Sequence, residues 1–521
     1  MSDSEINVLK AATYLGLSER AKAIQVLVFC TLAFTVCFAC WMLNGVLVTY
    51  LVENGIFRWD EAQIGWLLAI PVLSGSLARL PVGILTDKYG GRVVYTVVML
   101  ISAVAMYLLS FARNFWEFFF CSLGFGLAGA AFAVGIAYTS IWFKREQQGT
   151  ALGIFGIGNA GASVTTLGAP ALLIWLTVGG EQLERWRVLP QLYAAALVFM
   201  AIAFYLLTFT RAVEQTEHMN LQKRLAPLAS PRVWRFGYYY FFVFGGFVAL
   251  AQWLVPYYVN VYSMSIVMAG LMATIFSLPS GVIRALGGWL SDRFGARQIM
   301  LWVFGCSLLC CLLLLVPRMD IYSPGGGVVA ARSGIVTEVT PEHVVIGEKI
   351  YQLMPKTAGE QQRIGTETME ARFLVWPTFE SWQDPVVRAG DQVKKRQLLA
   401  KGVTHVYFQA NVWIFTFLVF ILGIVMGIGK AGVYKYIPDY FPKEVGVVGG
   451  MVGVIGGLGG FFCPVIFGYF LKSTGIWTSC WIFFTILVLT CLWWFQHTVK
   501  KLMNRQVPVL MKRMELDDVT N

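Results

Sequence analysis

The chain has 521 residues, of which 57% are hydrophobic and 13% charged, and a formal net charge of +11. The hydrophobic share is well above that of a soluble domain and the charged share is about half of it, so the composition excludes an ordinary soluble protein. The apolar residues fall into segments of about 20 residues or more, each long enough to cross a bilayer. We therefore predict a polytopic α-helical membrane protein.

Apolar runs, punctuated by charge, Gly and Pro, predict twelve spans, six on each side of a polar connector. The first residues are polar and too acidic for a cleavable signal. The predicted organisation is an N-terminal segment at 1–22, a six-helix bundle at 23–210, the connector at 211–235, helices 7–9 at 236–316, an insert at 317–405, helices 10–12 at 406–497 and a basic tail at 498–521.

The excess of Lys and Arg falls mainly in the loops after spans 2, 4, 6, 8 and 10. Basic loops of this kind set topology, so we expect both termini and the connector to be cytoplasmic, and we expect no nucleic-acid binding. The ten Cys lie mostly inside apolar spans, without metal-ligand spacing in a loop. They are interpreted as small core residues, and no metal, cofactor or disulfide is predicted.

Residues 79–92 and 284–297 repeat each other. In both, an Arg lies eight residues before an Asp, and a second Arg follows five residues after it. The first Arg of each copy, Arg79 or Arg284, lies inside an apolar span. A guanidinium there is costly and usually faces a partner, a cavity or a substrate. The repeat therefore predicts one central site with two positive walls, which would bind an anion.

A second repeat supports two similar halves. Gly149-x3-Gly153-x2-Gly156 begins helix 5, and a Gly449-x3-Gly453-x2-Gly456 run begins helix 11. Glycine at this spacing lets helices approach closely, and simple helix packing explains most of these residues. Repeated halves with a site between them at mid-membrane are nevertheless the architecture of alternating-access transporters.

With twelve spans and two matched loops, the chain resembles the major facilitator superfamily. Its fold would be all-α, with two pseudo-symmetric six-helix bundles. The runs at 83–92 and 288–297 look like the loop motif of that superfamily after helices 2 and 8. The resemblance implies that the Asp and second Arg of each loop pair with neighbouring helix ends and latch one conformation. These four residues are Asp87, Arg92, Asp292 and Arg297.

The glycine-rich runs at 156–170 and 453–464 look like the paired nitrate signatures of the nitrate/nitrite porter family. The resemblance implies that Arg79 and Arg284 clamp the anion and that a helix 5 amide, a helix 7 hydroxyl and two aromatic rings complete its site. Gly129 would leave room beside the ion. The other implied residues are Asn159, Tyr240, Phe132 and Phe244.

These residue types suit nitrate, which is planar, singly charged and weakly hydrated. A guanidinium presents paired donors and keeps its charge, whereas Lys offers only a point charge. Parallel rings would exclude water and thicker ions such as sulfate. The alternative for each Phe is ordinary core packing, and for each Arg an ion pair with a buried Glu.

Import of an anion against an inside-negative potential requires coupling, by proton symport or by exchange for internal nitrite. The run at 427–442 looks like the proton-coupled branch of the family, and Lys430 lies in it. A desolvated Lys can lose its proton, so Lys430 is the coupling candidate. The alternative is a snorkelling cation at the interface. We favour nitrate/proton symport in an inner membrane, and nitrate/nitrite antiport remains open.

The insert at 317–405 would lie on the extracytoplasmic side. Its Gly-punctuated, period-two alternation predicts short β-strands. The stretch at 387–393 resembles a strand of barrel-sandwich domains, without the Met-Lys-Met of a lipoyl site. The insert is interpreted either as a docking module for a protein partner, which would add a receptor or scaffold role, or as a small cap. The exposed segments contain no nucleotide loop, metal cluster or Ser/His/Asp set, so we do not expect an enzyme.

Overall fold

The computed structural model describes residues 18–211, 226–315, 319–356, 378–408, 411–441 and 445–519. Most of the predicted N-terminal segment and connector lies outside these ranges, as do parts of the insert. Eleven described helices are long and apolar enough to span a membrane, and a pair bent by 46° forms a twelfth. The spans α1 to α12 are Glu19–Glu53, Glu61–Tyr89, Gly91–Leu109, Phe115–Ser140, 145–176, Leu183–Leu207, Pro231–Tyr262, 266–294, Ala296–Leu313, Val412–Tyr440, Val445–Thr474 and Ser479–Val519.

Several boundaries differ from the prediction. Helix α10, for example, begins at Val412 and not at residue 406, because the last β-strand of the insert continues to Phe408. Helix α7 begins at Pro231, five residues before the predicted start, because Pro is well accommodated in a first turn and the charges of Arg232 and Arg235 do not prevent a helix there. Helix α12 continues to Val519, since the basic tail is rich in Lys, Arg, Leu and Met, which are good helix formers.

The two repeated loops end α2 and α8 in the same way. Gly90 and Gly295 follow these helices with φ of 82°, a conformation that glycine adopts without steric cost. The next helix begins at the following residue in both cases. We call the side of the bundle that carries these loops the motif face, and the other side the opposite face.

Helices of the first bundle cross helices of the second in the half of the molecule toward the opposite face. A Cβ on Gly65 in α2 would lie 2.6 Å from the carbonyl oxygen of Pro464 in α11, and a Cβ on Gly45 in α1 would lie 2.8 Å from Cα of Gln252 in α7. The backbones meet so closely because these positions have no side chain.

Two buried hydroxyl pairs join α5 to α8 in the same half. The hydroxyls of Ser163 and Ser277 are 2.9 Å apart, and those of Thr166 and Thr274 are 2.8 Å apart. Each pair gives two buried hydroxyls a hydrogen-bond partner in the other bundle. The opposite-face half of the interface is therefore closed by both backbone packing and hydrogen bonds.

An ion pair links the bundles at the opposite face itself. Lys472 Nζ at the end of α11 donates to Asp60 Oδ2, the N-cap of α2, over 2.7 Å. Partial burial opposes ionisation of Asp60, but the hydrogen bonds from Lys472 and from the Gln63 amide outweigh it, so the Asp60 pKa lies below its ordinary value. The pair therefore persists at neutral pH.

The chain between α9 and α10 forms a compact β unit of its own, which confirms the predicted β-rich insert. The described part of the unit has seven antiparallel strands, which form a three-stranded sheet in the order β1-β7-β5 and a four-stranded sheet in the order β4-β3-β2-β6. The strands are β1 Met319–Val329, β2 Gly334–Val339, β3 His343–Ile346, β4 Lys349–Gln352, β5 Thr378–Pro385, β6 Gln392–Val393 and β7 Leu398–Phe408.

The alternation seen in the sequence places one set of side chains in the core of this unit. Val336, Val344 and Val393 are buried there, and the turn before β6 is closed by the Arg388 amide, which donates to Asp391 Oδ2 over 2.8 Å. Gly390 occupies that turn with φ of 94°. The Gly-Asp pair of the barrel-sandwich-like stretch is thus a tight turn between strands.

Candidate anion-binding site

Five helices lose regular α-helical geometry near the middle of the bundle, where the predicted site residues lie. Such interruptions free backbone groups and re-aim side chains, and they are frequent at functional sites. They are a turn at residues 42–43 in α1, a 3₁₀ segment at Gly126–Ala130 in α4, a 3₁₀ segment at Ile157–Ala160 in α5, a π segment at Phe241–Gly246 in α7 and the bend at residue 283 in α8.

Arg79 of α2 is only 3% exposed and reaches across to the second bundle. Its Nη1 donates to the carbonyl oxygen of Gly453 in α11 over 2.7 Å, and its Nε donates to that of Gly129 in α4 over 3.4 Å. Two carbonyls thus hold the guanidinium in place while its remaining N–H groups stay available to a ligand.

Arg284 of α8 meets the same aromatic ring from the other bundle. The guanidinium carbons of Arg79 and Arg284 each lie 5.3 Å from the ring centroid of Phe132. A Cβ on Gly156 would lie 3.2 Å from Arg284 Cδ, so this glycine of the α5 repeat makes room for the Arg284 side chain. The structure thus brings the two predicted clamp residues together at one place.

A stack of aromatic rings runs beside the two guanidinium groups. Phe132 and Phe244 face each other with centroids 6.4 Å apart and planes 22° apart, and Tyr240 stacks on Phe244 at 5.0 Å. A flat ion between two rings needs roughly 7 Å, or two contacts of about 3.5 Å each. The centroids of Phe132 and Phe244 are closer than this, so the two rings must move apart to admit an ion between them.

Asn159 and Gly129 lie at the site, but their contacts differ from the predicted ones, in which Asn159 bonds the ion and Gly129 leaves room beside it. Asn159 Nδ2 donates to the carbonyl oxygen of Gly156, one turn earlier in its own helix, over 2.7 Å. A Cβ on Gly129 would lie 2.5 Å from Trp41 Cε2. The space at Gly129 is thus occupied by the Trp41 indole, and the glycine contributes a carbonyl to Arg79.

Several buried polar atoms around the pair make no hydrogen bond within the described part of the chain. They include Arg284 Nη1, Ser76 Oγ and Asn159 Oδ1. Buried polar groups normally have partners, so these atoms are donors and acceptors that a ligand could engage. Among the described residues no Asp or Glu is buried, whereas Arg79 and Lys430 are. The site therefore carries donors and positive charge that suit an anion.

Lys430 of α10 is fully buried near Arg284. Its Nζ donates to Ser280 Oγ over 3.1 Å, makes a longer 3.4 Å contact to the Ser280 carbonyl oxygen and lies 3.2 Å from the ring centroid of Phe247. A cation over an aromatic face gains electrostatic stabilisation. Lys430 is thus packed inside the bundle, which differs from the snorkelling alternative considered above.

Sequence reasoning missed three side chains of the site. The Trp41 ring lies 5.8 Å from the Arg79 guanidinium, and the Tyr434 ring lies 5.7 Å from that of Arg284. Ser76 lies one helical turn before Arg79 and faces Gly457 of α11. Helical spacing pointed to two of them, since Ser76 is three residues before Arg79 and Tyr434 is four after Lys430, whereas no signal in the sequence marked Trp41.

Two of the predicted latch residues, Arg92 and Asp292, contact neighbouring helix ends at the motif face. Arg92 Nε donates to the carbonyl oxygen of Tyr205, near the end of α6, over 2.8 Å. Asp292 forms a 2.6 Å ion pair with Lys435 near the end of α10. Asp87 lies in the last turn of α2, and Arg297 lies in the first turn of α9.

Comparison with known proteins identifies the family to which this architecture belongs. The sequence matches the Major Facilitator Superfamily over residues 29–341 and 398–509. The solved structures it resembles include a bacterial homologue of the lysosomal transporter Spinster, inward-facing and occupied, at 14% identity and a TM-score of 0.58 over 91% of this chain and 96% of that one. The nucleoside transporter NupG gives a TM-score of 0.55 at 12% identity, over 91% and 99%.

Similar sequences identify the family within this superfamily. The chain is 36% identical over 502 residues to the probable nitrate/nitrite antiporter NarK1 of Thermus thermophilus, covering 96% of each chain. It is 24% identical over 440 residues to the nitrite extrusion protein of Bacillus subtilis, covering 84% of this chain and 85% of that one. The chain belongs to the nitrate/nitrite porter family of the Major Facilitator Superfamily and is a transporter, not an enzyme.

Proposed function

We propose that the chain imports nitrate by alternating access, with the ion held between Arg79 and Arg284. The observation that carries this proposal is the position of the two guanidinium groups at 5.3 Å from one ring, with no buried carboxylate among the described residues. The names of the relatives, which refer to nitrate and nitrite, support the same substrate class.

The site favours a planar monovalent ion over a tetrahedral one. The nearly parallel Phe132 and Phe244 rings would enclose a flat ion once they move apart, whereas sulfate would require much more room. Nitrite is also flat, and it has two oxygens where nitrate has three. A third acceptor would engage donors that nitrite leaves unpaired, such as Arg284 Nη1, and this difference favours nitrate.

We place the protein in an inner membrane, with the motif face and both termini toward the cytoplasm. The charge distribution supports this orientation, because basic residues are enriched on the cytoplasmic side of membrane proteins. Lys88, Arg92, Arg293 and Arg297 all lie at or beside the two motif-face loops.

Coupling to protons would use Lys430. Its ammonium lies inside the bundle near Arg284, so two cations repel each other in the empty site. Release of the Lys430 proton would relieve this repulsion, and an incoming anion would favour its return. One proton would then accompany each nitrate, which makes uptake electroneutral.

Exchange of nitrate for nitrite is the second candidate mechanism, and one observation favours it. Two guanidinium groups stay charged at physiological pH, so an empty site with no buried carboxylate in the described ranges holds uncompensated charge. If this charge prevents the protein from changing between its inward-facing and outward-facing conformations without an anion, the change would occur only with an anion bound.

Labelled nitrate uptake into proteoliposomes tests the site. Arg79→Lys retains the charge but cannot reproduce the two donations to Gly453 and Gly129, so uptake should be abolished in a folded protein. Arg113→Lys, which changes an exposed Arg, is the matched control and should transport normally. Normal uptake by Arg79→Lys would refute the site.

The same vesicles distinguish symport from exchange. Uptake into vesicles that lack internal nitrite, and its collapse on adding a protonophore, is expected for symport. Uptake that requires internal nitrite and ignores the protonophore would instead establish exchange.

A further inference from the structure

A second cavity lies away from the anion-binding site, between the start of α9 and the middle of α12. Its volume is about 430 Å³, within the range of small-ligand sites. Its polar lining comes from both helices, with Arg297 and Gln298 in the first turn of α9 and Gln496 and Lys500 on α12. We call it the α9–α12 pocket.

The chemistry of the α9–α12 pocket changes with depth. Arg297 and Lys500 lie at the level of the motif face, while Leu301 and Phe495 line the pocket about one helical turn deeper in the membrane. The described lining includes two cations and two amides, and no carboxylate is among these described residues. One end of the pocket therefore suits an anionic group with hydrogen-bond acceptors, and the other suits hydrocarbon.

The surface around the pocket is that of a membrane interface. Trp289, Trp302 and Trp493 are 52%, 48% and 68% exposed on α8, α9 and α12, and Phe294 at the pocket edge is 48% exposed. Trp side chains are enriched where headgroups meet acyl chains. Basic pockets between spanning helices at this level are suited to anionic lipid headgroups.

We propose that the α9–α12 pocket binds an anionic phospholipid, with its phosphodiester between Arg297 and Lys500 and its glycerol and first acyl carbons against Phe495 and Leu301. Because Arg297 belongs to the second repeated loop, a bound lipid contacts the segment that joins α8 to α9. The lipid thereby stabilises that loop independently of any anion in the central site.

Native mass spectrometry of the full-length protein in detergent tests this assignment with phosphatidylglycerol and phosphatidylcholine. The wild-type protein should retain phosphatidylglycerol preferentially. Lys500→Gln should weaken that retention about five-fold, the factor contributed by one cation at an anionic surface. Lys501→Gln is the matched control, since Lys501 is exposed on the same helix but does not line the pocket, and it should bind like the wild type.

A second variant and a competition arm complete the test. Gln496→Leu removes one amide donor without changing the charge, and it should reduce phosphatidylglycerol retention less than Lys500→Gln does. Equal losses in Lys500→Gln and Lys501→Gln, or no wild-type preference for the anionic lipid, would overturn the proposal. Displacement of the lipid by excess inorganic phosphate would assign the pocket to free phosphate and would overturn it as well.

Discussion

Replacement of Gly457 by Ala should damage the anion-binding site without unfolding the protein. Gly457 lies in α11 where that helix faces Ser76 and Arg79 of α2. A Cβ at this position would lie 3.0 Å from Ser76 Cβ, closer still to Ser76 Oγ, and 3.4 Å from Arg79 Nη1. The first two separations are too short for ordinary contacts, so the helices or the two side chains must move.

The expected size of the effect follows from that overlap. Relief requires a shift of about half to one ångström, and overpacking of this kind typically costs about 1–3 kcal/mol. The Arg79 guanidinium, which donates to Gly453 one turn away, would lie 3.4 Å from the added Cβ, so a shift of either helix would alter its position. If the cost falls on the site, nitrate affinity should decrease roughly 5- to 150-fold.

Gly450→Ala supplies the control on the same helix. A Cβ on Gly450 would meet no atom within 4 Å, while the gain in helix propensity is the same as at Gly457. Nitrate binding should be measured by calorimetry on purified protein, together with its melting temperature. An unchanged affinity in Gly457→Ala would refute the packing argument.

Three further predictions concern other parts of the protein. Ser76→Ala removes one unpaired buried hydroxyl and should raise the KM for nitrate up to about ten-fold with little change in maximal rate, which an uptake titration would show; an unchanged KM would contradict a contact with the ion. Lys430→Gln should abolish uptake driven by a pH gradient but preserve nitrate/nitrite counterflow, and retained pH-driven uptake would exclude Lys430 as the proton carrier. Asp60→Asn breaks the ion pair with Lys472 and should speed hydrogen exchange in the first turn of α2. Because the Asp60 pKa is lowered, the ion pair is intact above the ordinary Asp pKa and weakens only as pH falls below about 4. The hydrogen-exchange rates of wild type and variant should therefore differ at pH 5 and converge in stronger acid.

The positions of the two Arg residues were accessible from the sequence because each stands out chemically from its surroundings. Charges inside an apolar span are rare, and the same spacing in both halves indicated a common site. The superfamily and the β-rich insert followed from similarly strong signals, namely span count, matched loops and period-two alternation.

The shape of the site was less accessible, because it depends on contacts between distant segments. Nothing near Trp41 indicates that its ring fills the space left by Gly129, 88 residues later. The 3₁₀ segment at Gly126–Ala130 and the π segment at Phe241–Gly246 contain no Pro that would mark a break. They arise from packing across the bundle, which local sequence does not encode.

The interruptions in α1, α4, α5, α7 and α8 divide these helices at the depth of the two Arg residues. Each of these helices therefore consists of two helical segments joined by a hinge, and the hinges surround the proposed ion site. The segment on one side of the membrane can tilt while the other segment of the same helix stays packed against its neighbours. The ion would then lie at the level of the hinges, where small changes in its contacts with the protein would produce large displacements of the helix ends at either membrane surface.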